Sequence, residues 1–107
     1  MKLLFAIVQN DDTSAVTAAL NEHGFRVTKL PTTGGFLRAG NNTLMIGTED
    51  ERVAEAIEII KSEGKTRMEI VPATATFDVS HYTSYPVEVE VGGATIFVLN
   101  VEQFIKA

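Results

Sequence analysis

The chain of 107 residues contains no cysteine and no tryptophan, only three prolines, and no apolar run long enough to cross a membrane. Without cysteine there are no disulfides, no thiolate metal sites and no cysteine nucleophile. Basic residues are also few: nine Lys and Arg stand against 14 Asp and Glu, for a formal charge of −5. Proteins that track nucleic-acid phosphates gain affinity through clustered cations. The nine here are scattered, so no nucleic-acid partner is expected. The opening apolar run, Leu3 to Val8, is short and soon meets Asn10-Asp11-Asp12. It suits neither a signal peptide nor a membrane span, which makes a cytoplasmic location with no membrane partner the expectation.

At 45% hydrophobic and 21% charged residues the composition is that of an ordinary globular unit, and its length suggests one domain spanning 1–107. Lys2 to Val8 is apolar on both faces, as a doubly covered central strand would be. Val16, Ala19 and Leu20 follow helical spacing over Thr13 to His23, with Asp11 or Asp12 placed to cap the start and Gly24 the end. Phe25 to Leu30 alternates, sending Phe25 and Val27 to one face and Arg26, Thr28 and Leu30 to the other. Thr43 to Gly47 predicts a second buried strand. Thr48 to Glu51 has the spacing of a capping box, before a helix that aligns Val53, Ala56, Ile57 and Ile60 and stops at Gly64.

Met68 to Val71 predicts a strand ended by Pro72, and the weakly patterned stretch up to Pro86 a loop. Val87 to Val91 then alternates strictly, Gly92-Gly93 offers a two-residue turn, and Ala94 to Leu99 is expected to return as its hairpin partner. Two successive strand-helix-strand units predict an α+β, ferredoxin-like βαββαβ sheet, its two most apolar strands central and its helices on one face, extended by the C-terminal hairpin. The uncovered face, carrying Leu30 and Phe97, predicts a closed homo-oligomer.

The segment Thr32 to Asn41 is the candidate binding element. Gly35-x-x-x-x-Gly40-Asn41-Asn42 approaches a phosphate-cradling P-loop, but Asn41 stands where the lysine belongs, Asn42 where the hydroxyl belongs, and a strand follows in place of a helix. Gly34 and Gly35 would admit a ligand close to the backbone, and Phe36 could lie along a base. Arg26 and Thr28 enter from the neighbouring strand with a cation and a hydroxyl suited to a phosphate. His23 and His81 have no partners at metal-ligand spacing, so no metal is expected. Glu88 and Glu90 read as a solvated strand face, and His81 to Tyr85 lacks a nucleophile elbow around Ser84. No enzyme activity is expected.

The runs Phe25-Arg26-Val27-Thr28-Lys29-Leu30, Thr32-Thr33-Gly34-Gly35-Phe36-Leu37 with Gly40-Asn41, and Tyr85 to Thr95, together with Val8-Gln9 and Val101-Glu102-Gln103-Phe104, closely resemble the PII-like cyclic-di-AMP receptors of Gram-positive bacteria. The resemblance covers nearly the whole chain. It implies a homotrimer that binds cyclic-di-AMP between neighbouring subunits, catalyses no reaction, needs no cofactor and signals to a downstream protein not identified by sequence. By that analogy Arg26 and Thr28 face the phosphates, Gly35, Phe36, Leu37 and Asn41 hold an adenine, Gly47 lines the pocket, and Phe97 approaches from the last strand. A PII-like sensor of another adenine nucleotide such as ATP is the alternative, and a small ferredoxin-like phosphatase a third. The chain departs from the family at Gly24 and Lys106, where amides are usual, and within the stretch Ala73 to Ser84. Two missing amides predict the loss of two hydrogen bonds of about 0.5 to 1.5 kcal/mol each.

Overall fold

Alternation decides which side of each strand meets the helices. In the computed structural model, which describes residues 1–32, 40–72 and 86–107, strand β1 (Lys2–Gln9) leads directly into helix α1 (Asn10–Glu22), followed by β2 (Val27–Pro31) and β3 (Asn41–Thr48). A 3₁₀ turn at Asp50–Arg52 precedes helix α2 (Val53–Gly64), and β4 (Arg67–Pro72), β5 (Pro86–Val91) and β6 (Ala94–Asn100) complete the order. Four strands form an antiparallel sheet in the order β2-β3-β1-β6. The expected ferredoxin-like α+β fold is therefore present, with β1 and β3, the most buried strands of this sheet, at its centre.

Leu4, Ala6 and Val8 of β1 and Leu44 and Ile46 of β3 point to the helices and are essentially inaccessible. They meet Val16 and Leu20 of α1, Ala56 and Ile60 of α2, and Phe25, with Val27 and Ile96 packed at the margin. Each of the larger side chains contributes about 1.5 to 3 kcal/mol by leaving water. Leu20→Ala should cost about 2 to 5 kcal/mol, read as a lower midpoint in urea unfolding.

Both helix starts differ from expectation. Helix α1 begins at Asn10, and neither Asp11 nor Asp12 caps it; Gln9 holds the N-cap position without a side-chain bond. Thr13 instead donates its hydroxyl to the Gln9 carbonyl at 3.1 Å, while Asp12 is buried and paired with Arg67. The capping box at Thr48 to Glu51 is not formed, because the chain first makes the 3₁₀ turn. The helix end is as expected: Gly24 has φ 86°, and the amides of Gly24 and Phe25 donate to the carbonyls of Asn21 and Leu20 at 3.0 and 2.9 Å. This is the Schellman arrangement, which glycine permits without a Cβ penalty.

The hairpin expected around Gly92-Gly93 is also corrected. Both glycines have positive φ, as the turn requires, yet β5 pairs with β4 and β6 pairs with β1. The turn passes the chain from one sheet to another. The Gly93 amide donates to the Gly64 carbonyl and the Gly92 amide to Gln9 Oε1 at 2.7 Å, so the donors that would begin a hairpin are spent elsewhere. β6 covers the β1 edge along seven pairs, from Lys2 with Asn100 to Val8 with Ala94, and an edge so covered is no longer a template for aggregation. Glu88 and Glu90 consequently stand opposite Ile70 and Met68 rather than beside Thr95 and Phe97.

Candidate functional site

Residues directly opposite in antiparallel strands share a face. The pairings therefore place Thr28, Met45, Phe5 and Phe97 in one row across the sheet, on the face the helices leave uncovered. The next row holds Gly47, Leu3 and Leu99, and the row on the other side Leu30, Thr43, Ile7 and Thr95. Arg26 precedes β2 with the same alternation as Thr28. Five of the expected site residues, Arg26, Thr28, Asn41, Gly47 and Phe97, thus belong to one surface.

They do not form one cluster. Arg26, Thr28 and Gly47 line a single pocket of about 430 Å³ with Gly24, Phe25, Met45, Glu49, Arg52 and Phe104. Asn41 lies six residues from Gly47 along β3, about 20 Å away at the rise of a strand. Phe97 is three strands from Thr28, about 14 Å. Gly35, Phe36 and Leu37 lie outside the described residues.

The pocket wall is built from the α1 C-terminus. Arg52 lays its guanidinium over the Phe25 ring, 4.0 Å from the centroid, and donates from Nη2 to the His23 carbonyl at 2.6 Å and to Glu55 Oε1 at 3.1 Å. Cation–π stacking and a carbonyl clamp together hold the turn from which Arg26 projects. His23 bonds through Nδ1 to the Ala19 carbonyl at 2.9 Å, as expected of an imidazole in a last helical turn. The Met1 ammonium, also at the pocket, sits 2.9 Å from Asp50; that hydrogen bond, opposed by desolvation and aided by the charges of Met1 and Lys2, holds the Asp50 carboxyl below its usual range. Gly47 has an ordinary φ, and a Cβ there would meet nothing within 4 Å. Its missing side chain is the floor of the pocket.

At the other end of the sheet Asn41 pairs across β1 with Gln9, and both line a polar cavity of about 510 Å³ with Thr66, Glu90, Gly92, Gly93 and Thr95. Asn42, on the opposite face, donates to Asn10 Oδ1 at 2.6 Å and Thr13 Oγ1 at 3.0 Å, and the Asn10 amide donates to the Gly40 carbonyl at 2.7 Å. Gly40 has φ 94°, a conformation that costs other residues about 1 to 2 kcal/mol. The C-terminal end of the Gly-rich segment is therefore anchored to the start of α1. Arg67 closes the same region, gripping buried Asp12 through two bonds of 2.8 and 3.3 Å.

Sequence reasoning missed Arg52, Gln9 and the Asp12–Arg67 pair, since nothing in local periodicity marks them. Phe104, an apolar residue outside any regular pattern, was a visible signal. Among the described residues no group of His, Asp and Glu has metal-holding geometry, and no described helix is long and apolar enough to cross a membrane.

Comparison with known proteins adds two findings. A family model described as a cyclic-di-AMP receptor matches residues 1–107. A functionally unknown protein from Pediococcus pentosaceus ATCC 25745, known as a crystal structure, is similar with a TM-score of 0.80 and 46% identity, over 99% of this chain and 96% of that one.

Proposed function

The chain belongs to the cyclic-di-AMP receptor family, and from that premise we propose that it is a cytoplasmic signal-transduction receptor that binds cyclic-di-AMP between subunits of a PII-like homotrimer. Ligand binding orders the loops bordering the cleft, and a downstream protein reads that order. The role needs no cofactor and no catalytic group. The observation that carries the reading is the split of the expected residues over one uncovered sheet face. Arg26, Thr28 and Gly47 share a pocket, while Asn41 and Phe97 stand about 20 and 14 Å away in the same subunit. A neighbouring subunit that brings the second group to the first would set both against one cyclic dinucleotide.

Arg26 and Thr28 supply a guanidinium and a hydroxyl, a pair suited to phosphate oxygens. The absent side chain at Gly47 leaves room for a flat base against the sheet. Loss of amides at Gly24 and Lys106 weakens the hold without altering this geometry.

Thermal unfolding with cyclic-di-AMP, cyclic-di-GMP and ATP tests the reading. Cyclic-di-AMP at a hundred times its dissociation constant adds about 2.7 kcal/mol of stability, and cyclic-di-GMP at the same concentration adds far less. A response to ATP alone would replace this ligand with ATP, and no response to any of the three would overturn the receptor reading. Light scattering on the same samples should give three times the mass of the chain.

A further inference from the structure

We propose that Phe104 is an adenine-stacking residue of the Arg26 pocket, an inference that rests on the receptor reading above. Among the described residues the pocket is lined by two aromatic rings, those of Phe25 and Phe104. Phe25 is unavailable to a ligand: it is 4% exposed, and the Arg52 guanidinium already covers its face. Phe104 is 66% exposed. It follows β6 on a segment without regular structure, tied back to the sheet by the Val101 amide, which donates to the Met1 carbonyl at 3.2 Å.

A phenylalanine left in water at the rim of a concave site retains most of the apolar area that burial would turn into affinity. What it faces narrows the occupant. Arg26 and Thr28 across the pocket suit an anionic oxygen, and Gly47 and Met45 between them offer a flat, apolar floor. An anion joined to a flat heteroaromatic ring satisfies both halves, and a nucleotide is that combination. The base lies against Phe104 while the phosphate meets Arg26. Stacking on one aromatic side chain is worth about 1 to 3 kcal/mol per base.

The chain has no tryptophan, so Phe104→Trp creates a single reporter at the position in question. Titration of Phe104→Trp with cyclic-di-AMP should quench and shift the indole emission in step with binding followed by calorimetry, with affinity within a few-fold of the parent. Phe104→Ala should weaken binding about tenfold or more while leaving the unfolding temperature of the unliganded protein unchanged. Calorimetric binding by Phe104→Trp with no change in emission would overturn the stacking role and leave the receptor reading standing. An indole that already emits as a buried group before ligand is added would overturn it equally, since a neighbouring subunit then covers the ring. No binding by the parent protein would sink the receptor reading itself, and this inference with it.

Discussion

Arg26 and Gly47 serve one pocket for opposite reasons, the first by what it carries and the second by what it omits. Arg26 is exposed and enters no core contact, so Arg26→Ala should change stability by no more than about 0.5 kcal/mol while abolishing the thermal shift given by cyclic-di-AMP. A normal shift would make Arg26 an ordinary solvated side chain. Gly47→Leu is the converse test. Its backbone is unstrained and its Cβ meets open space, so the fold should tolerate leucine within the same margin, yet the side chain fills the pocket floor and the ligand response should disappear. The alternation of Phe25 to Leu30 was enough to place Arg26 and Thr28 on the uncovered face. Nothing local could place Arg52 on Phe25, because that contact joins a turn after β3 to the residue that follows the Gly24 cap of α1.

Between elements, the junction at Gly92-Gly93 joins two sheets. A Cβ at Gly92 would lie 2.5 Å from the Lys65 carbonyl oxygen, at φ +81°. Gly92→Ala therefore combines about 1 to 2 kcal/mol of backbone strain with a collision against main chain that cannot yield. Chemical denaturation should show a loss larger than that strain alone. Arg67→Ala acts at the same junction by leaving buried Asp12, 6% exposed, without its bidentate partner. An expected loss of about 1 to 3 kcal/mol follows, and Arg67→Lys should recover only part of it, since an ammonium does not reproduce the fork. The strand types and bounds of β5 and β6 were readable from alternation and the paired glycines. Their partners were not, because two glycines of positive φ permit a hairpin equally with a passage between sheets, and the choice fell to the open edge of β1.

For the molecule as a whole, the decisive feature is a sheet with one face that the helices leave uncovered. Half-buried Leu3, Phe5 and Leu30 share it with Phe97 and Leu99, which are 43 and 44% exposed, while Ile7 on the same face is buried. A continuous apolar surface of this kind is covered in a closed assembly, and Leu99→Asp should dissociate the proposed trimer. Light scattering would show monomers, and the cyclic-di-AMP shift would fall with them even though Arg26, Thr28 and Gly47 remain untouched. A trimer that survives Leu99→Asp and still binds would mean that this face is not the subunit contact. By itself the sequence determined the main strands and helices, the faces taken by Phe25 to Leu30, and the central position of β1, since these follow from alternation, helical spacing and apolar content within a few neighbours along the chain. Tertiary structure alone decided that β6 rather than a hairpin closes the sheet, that Phe25 is spent on Arg52 while Phe104 stays open, and that Asn41 and Arg26 lie at opposite ends of one face. Those outcomes depend on which edges and surfaces remain unpaired once distant segments have met, and no local pattern carries that information.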